Sequence, residues 1–175
     1  MKYVGLLRGI NVGGNRKVPM PELRALFESL GFTNVSTYVN SGNVIFESET
    51  VPEAAFIETQ LEEKFGFPID ILILSSEIIQ AIAEAIPDTW QNNTTTEKSD
   101  VVFLFDDVNE AAFIERIGYR PEFETLQYVN YALLSHLDRK YQTKSCLLRL
   151  VGTPLYKQVT IRNVNTARKL AELAQ

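Results

Sequence analysis

The sequence predicts an α+β protein made of two related halves, each with the element order β-α-β-β-α-β. Three observations carry this. Short apolar runs, Tyr3–Leu7, Ile69–Leu74 and Val101–Phe105 among them, alternate with stretches whose apolar residues recur at helical spacing. The pattern halts in the polar, aperiodic stretch DTWQNNTTTEKS (88–99) and then restarts. A local motif also recurs: Leu30-Gly31-Phe32 precedes Tyr38-Val39-Asn40, and Ile117-Gly118-Tyr119 precedes Tyr128-Val129-Asn130. The split order is that of a ferredoxin-like unit, and the recurrence marks an internal duplication.

The elements follow in order. Residues 3–8 form a continuous apolar run and read as a strand buried on both faces. Residues 21–30 read as a helix: Pro21 suits its first position, Leu23, Leu26, Phe27 and Leu30 form one stripe, and Gly31 stands at the stop. Val35–Asn40 and Val44–Glu47 read as a hairpin around Ser41-Gly42-Asn43. A helix opening near Pro52 carries Ala54, Ile57, Leu61 and Phe65 and stops at Gly66, and Ile69–Leu74 is the fourth strand. A further helix buries Ile78, Ile79, Ile82 and Ile86 and ends at Pro87.

After the linker comes a strand at Val101–Phe105. A capping box at Asp107 and Glu110 should open a helix that ends at Gly118. Glu124–Val129 and Tyr131–Ser135 pair, Ser145–Val151 is a short helix, Gln158–Ile161 a strand, and Asn163–Ala174 a final helix. The domain reading is therefore 1–87 for the first half with its following helix, 88–99 for a linker, and 100–175 for the second half with its terminal helix.

Composition narrows the classes. The chain has 175 residues, 45% of them hydrophobic, enough to bury a sizeable core. A single cysteine, Cys146, excludes an internal disulfide and points to a reducing, cytoplasmic setting. With His136 the only histidine, no metal site and no cofactor is expected. The first apolar run is too short for a signal peptide, and no segment is long enough to span a membrane.

The formal net charge of −5 disfavours a general nucleic-acid coat, yet it is unevenly placed. Residues 1–24 hold five basic and one acidic side chain (+4), residues 25–135 hold 4 and 19 (−15), and residues 136–175 hold eight and two (+6). If the two ends meet, they make a positive face on an acidic protein.

Two segments could exploit such a face. In Arg8-Gly9-Ile10-Asn11-Val12-Gly13-Gly14-Asn15-Arg16-Lys17, glycines let amides converge on an anion while Arg8, Arg16 and Lys17 supply charge and Asn11, Gly13, Gly14 and Asn15 supply polar and amide groups. The same glycines suit a wide turn with solvated cations. The segment is neither a Walker A loop nor a G-x-G-x-x-G turn. Tyr38 on the next strand and Ser41 and Asn43 in the hairpin turn could add side chains beside it, although Ser41-Gly42-Asn43 also suits plain turn chemistry. At the other end, Arg162, Asn163 and Arg168 mark a strand-to-helix junction. Asn163 is a good N-cap there, and the helix start attracts anions. Covalent catalysis has little support, because Cys146 sits among leucines as a small core residue and no group orients His136 toward it. Asp106 and Asp107 read as caps.

LLRGINVGGNRKVPMPELRALFESLGF, TYVNSGNVIF and the late TIRNVNTARKLAEL together resemble the bacterial domain of unknown function 1697 family, over nearly the whole chain. The late block departs from the family pattern in carrying Val164 where a tryptophan is usual. The resemblance implies two ferredoxin-like halves with exchange of segments between them. It implies no established activity, cofactor or substrate.

Three functional readings stay open. The leading one is a binding module for a small phosphorylated or carboxylated ligand, or a short nucleic-acid segment, in a cationic cleft. An enzyme acting on an anionic metabolite is the second, with Tyr38, Ser41 or His136 moving protons. A protein-interaction or dimerisation scaffold is the third. The ligand's identity and the oligomeric state are not legible in the residues.

Overall fold

The structure, a computed structural model, describes residues 1–175. The chain divides into two compact units, Met1–Gln80 with Leu170–Gln175, and Ala81–Lys169. Each unit contains one four-stranded antiparallel sheet flanked by helices, as expected for two ferredoxin-like halves.

The first unit runs β1 (Lys2–Leu7), α1 (Met20–Ser29), β2 (Thr33–Tyr38), β3 (Asn43–Glu47), α2 (Ala54–Phe65) and β4 (Ile71–Ser75), followed by α3 (Ser76–Ala85). Its sheet order is β2-β3-β1-β4. Both helix–strand–strand crossovers therefore place β1 and β3 at the centre, with every neighbour antiparallel. The alternation of β1 sends Tyr3 and Leu7 into a core with Val44 and Phe46 of β3, Leu23 and Phe27 of α1, and Ile57 and Leu61 of α2. Phe27 is fully buried and meets Phe46 edge-on, ring centroids 5.1 Å apart. Truncating such a ring costs about 3–5 kcal/mol. The helix stops fall where glycine suggested: Gly66 caps α2 with φ 82, and Gly31 follows α1 with φ 90.

The second unit contains β5 (Glu97–Leu104), a 3-10 turn at Asp106–Val108, α4 (Phe113–Arg116), β6 (Thr125–Val129), β7 (Ala132–Asp138), α5 (Cys146–Leu150), β8 (Val159–Asn163) and α6 (Val164–Leu173). Its sheet order, β6-β7-β5-β8, repeats that of the first unit strand for strand. Val102 and Leu104 of β5, Leu133 of β7, Phe113 of α4 and Leu147 and Leu150 of α5 form its core.

Two elements differ most from the sequence reading. β5 opens at Glu97 rather than Val101, because the Asn93 side-chain oxygen accepts from the amides of Thr95, Thr96 and Glu97 at 3.0, 2.7 and 3.1 Å and turns the chain into the strand. The helix expected over 107–118 is only the 3-10 turn and the four residues of α4. Its N-cap is Ala112, with no side-chain bond, so no capping box forms. Instead Asn109 Oδ1 accepts from the Tyr131 amide at 2.7 Å and from the Tyr128 hydroxyl at 3.1 Å. Those bonds hold the segment as a loop over the β6–β7 turn. No helix is long and apolar enough to cross a membrane.

Candidate functional site

The β1–α1 connection, Arg8–Pro19, is built on left-handed backbone. Gly9, Asn11, Gly13, Gly14 and Arg16 have φ of 64, 54, 59, 76 and 51. Gly13 and Gly14 form the tip of a small hairpin in which the Asn15 amide donates to the Val12 carbonyl at 3.1 Å and the Asn11 amide to the Arg16 carbonyl at 3.0 Å. Arg16 adopts positive φ at a cost of about 1–2 kcal/mol, Asn11 at less because its short polar side chain bonds locally, and such strain persists only where the surroundings impose it.

The imposing group is Asn11 itself. Its Oδ1 accepts from the Val18 amide at 2.8 Å, and its Nδ2 donates to the carbonyls of Val18 at 3.0 Å and Asn40 at 2.8 Å. One side chain thereby closes the loop's base and ties it to the β2–β3 turn. Ile10 and Val18 plug into the core on either side. Below, the Leu7 amide donates to the Gly42 carbonyl at 2.8 Å and the Arg8 amide to the Asp70 carbonyl at 2.9 Å.

The loop's polar groups then separate by role. Arg16 donates to the Pro68 carbonyl and lies 4.8 Å above the centre of the Phe67 ring, so its charge anchors the loop to the α2–β4 connection. Asn43 is fully buried and donates to the Tyr38 carbonyl at 2.9 Å and Ser41 Oγ at 3.0 Å, holding the β2–β3 turn; Tyr38 is half-buried at the end of β2. Lys17 is exposed and makes no ion pair. A groove of about 380 Å³ lies beside it, lined by Asn11, Gly14, Asn15, Lys17, Pro19 and Asn40. Pro19 is the N-cap of α1, and no side chain caps that helix. Of the residues singled out from sequence, the structure thus brings Asn11, Gly14, Asn15 and Lys17 to one groove, with Gly13 at the hairpin tip. Pro19 was not singled out. Asn40 contributes a main-chain carbonyl, which no side-chain pattern announces.

The second cationic segment, at the junction of β8 and α6, is occupied with structure. Asn163 Oδ1 accepts from the Thr166 amide at 2.9 Å, the N-cap expected of it. Arg168 donates to the carbonyls of Trp90 and Pro87, both at 3.0 Å, and so pins the chain that follows α3. Arg162 is buried, donating to Thr160 Oγ1 at 2.8 Å and the Ile161 carbonyl at 3.0 Å, and burial pulls its guanidinium down to about 10. It remains a cation at neutral pH.

The remaining reactive groups are quiet. Cys146 is fully buried at the start of α5, where burial and the Glu124 carboxylate push its thiol well above the ordinary range. Glu124 accepts from the Cys146 amide at 2.7 Å and the Ser145 hydroxyl at 2.8 Å. His136 does have neighbours, although Cys146 is not among them. Its Nδ1 lies 2.8 Å from Ser99 Oγ, its ring stacks on Trp90 at 4.9 Å, and its Nε2 lies 4.0 Å from Glu97. Ser99 Oγ donates to the Gln91 carbonyl at 2.6 Å, so it accepts from a protonated Nδ1 and is no nucleophile.

Residues 1–133, which include this loop and its groove, match the family model described as "Protein of unknown function (DUF1697)". The chain belongs to the DUF1697 family. Among solved structures it is similar to the conserved bacterial protein SP0830 from Streptococcus pneumoniae, with 28% identity and a TM-score of 0.81 over 99% of this chain and 98% of that one. No curated protein matches the chain. The late block TIRNVNTARKLAEL lies beyond the family match but within the structural one, and Val164, in the position noted for tryptophan, is fully buried.

Proposed function

We propose that this DUF1697 protein binds a small anionic ligand, phosphorylated or carboxylated, in the groove at the β1–α1 loop. One observation carries the reading. The loop commits Asn11 and Arg16 to maintaining a left-handed backbone, and the groove so shaped is left with Lys17 and the Gly14 main chain. A cation beside glycine main chain suits an anionic ligand. Strained backbone fixed by a dedicated clamp favours a binding role over a passive turn. Arg162, Asn163 and Arg168 already serve main-chain and hydroxyl groups, so the proposal is confined to the loop.

The test is a two-dimensional amide NMR titration of the whole chain with inorganic phosphate, citrate, nucleoside monophosphates and a short oligonucleotide. Saturable shifts centred on Gly13, Gly14, Asn15 and Lys17 are expected with at least one small anion, weakened on the order of tenfold by Lys17→Gln. Saturable shifts with the oligonucleotide alone would replace the small ligand by nucleic acid. Absence of saturable shifts at the loop with every probe, or an unchanged affinity in Lys17→Gln, would sink the proposal.

A further inference from the structure

The two units repeat one strand order but not one helical layer. In the first, α1 and α2 span 10 and 12 residues; their counterparts α4 and α5 span 4 and 5. Such short helices do not reach across the sheet, and a cavity of about 290 Å³ remains over β5 and β8. Leu147, Leu148 and Val151 of α5 and its end, with Ile161 of β8, give it apolar walls. Leu148 and Val151, 58% and 52% exposed, stand at its rim.

Its floor is not apolar. Lys98 and Asp100 line the cavity and pair with each other. Along β5 they share parity with Val102 and Leu104, which are fully buried in the unit's core. The register pairs Val102 with Ile161 and Asp100 with Asn163. An ion pair therefore occupies the core-facing side of the sheet, where the pattern calls for two more aliphatics. Asp100 is only 7% exposed. Desolvating a pair costs more than its attraction returns in many such sites, and aliphatic replacements would also fill the space.

We propose that this cavity binds a small zwitterion with an aliphatic body, of the α-amino acid class and about the size of leucine or methionine. Its ammonium is received by Asp100, its carboxylate by Lys98, and its side chain by Leu147, Leu148, Val151 and Ile161. Charge balance selects the class. A monoanion would leave Asp100 buried beside a second negative group, a monocation would set a second positive group against the half-exposed Lys98, and a neutral apolar ligand would cover the pair with nothing in exchange. The volume lies at the small end of ligand sites, which suits a single amino acid.

The inference is independent of the loop site, and its test uses different residues. Isothermal titration and saturation-transfer NMR on the full chain would use L-leucine and L-methionine. Isocaproate and isoamylamine, each lacking one charge, and glycine, lacking the aliphatic body, serve as comparators. Saturable binding of at least one of the two amino acids is expected, with each comparator weaker on the order of tenfold or more. Asp100→Asn and Lys98→Gln should each weaken it by a similar factor. Val151→Trp, at the exposed rim, should fill the cavity and abolish binding while the melting curve is retained. No saturable binding of either amino acid, comparators that bind as tightly, or an unchanged affinity in Val151→Trp would each overturn the proposal. The Val151→Trp variant keeps the test decisive if a charge substitution disturbs folding.

Discussion

Removal of the Asn11 side chain tests whether one residue holds the β1–α1 loop in place. Asn11→Ala deletes the acceptor of the Val18 amide and the donor to the Val18 and Asn40 carbonyls. Val18 is 1% exposed, so its stranded amide costs about 1–3 kcal/mol. Each of the two remaining bonds contributes roughly 0.5 kcal/mol, the low end for hydrogen bonds that water can partly replace. Alanine tolerates a φ of 54 less well than asparagine, which adds about 1 kcal/mol. The expected loss is about 3–5 kcal/mol, read from the shift of the urea midpoint at unchanged slope. Asn11→Asp keeps the acceptor for Val18 but removes both donors, and should lose about half as much. Hydrogen exchange at the Val18 amide supplies a local readout, with protection falling in the alanine variant. A loss below about 0.5 kcal/mol, the scatter of ordinary surface substitutions, with Val18 protection intact would refute the clamp.

Two other perturbations follow from the geometry. Gly42 has φ 82, and a Cβ there would lie 2.7 Å from Ile10 Cδ1 and 2.8 Å from Leu7 Cβ, so Gly42→Ala should lose about 2–4 kcal/mol from strain and overpacking together; a loss below about 1 kcal/mol in the same urea titration would contradict it. The Glu58 carboxyl is raised above its ordinary value, chiefly by burial, while its Oε1 accepts from the Ile71 amide at 2.9 Å. Because the folded value is the higher one, the ionised form costs stability at neutral pH, and that cost disappears as pH falls below the unfolded value. Glu58→Gln keeps the acceptor without the charge. It should melt above the wild type at neutral pH and lose that advantage below about pH 4; a variant less stable at neutral pH would reverse the sign of the argument.

What was legible in the residues was whatever periodicity and local stop signals carry. The first unit's strands and helices, and the glycine stops at Gly31 and Gly66, follow from apolar spacing and the need for positive φ. The sheet orders follow from the element order. The partners of the cations were not legible. Arg16 looked like a ligand-binding charge but reaches Pro68, and Arg168 reaches Trp90 and Pro87, because guanidinium groups satisfy carbonyls of distant loops that no spacing rule connects to them. The failed helix at 107–118 has the same cause: Asn109 binds Tyr131 and Tyr128 across the β6–β7 turn, a long-range preference that overrode a local capping signal. Lys98 and Asp100 did leave a trace, as charges on the parity of Val102 and Leu104, but that trace lay across the boundary assigned between linker and strand.

The repeated topology supplies an internal control for the loop. The connection from β1 to α1 carries Arg8, Arg16 and Lys17 and no acid; its counterpart from β5 to α4, Phe105–Ala112, carries Asp106, Asp107 and Glu110 and no base. Both connect the central strand to the first helix of a sheet with the same strand order. If the fold required positive charge at this turn, the second unit would need it too, and it closes the turn with Asn109 and a Tyr131–Asp106 hydrogen bond of 2.9 Å instead. The cations of the first unit are therefore additions to a topology that does without them. Arg16 has been recruited into an anchor, and Lys17, which makes no ion pair beside an open groove, has not. That difference places Lys17, and not the loop's total charge, at the centre of the binding proposal.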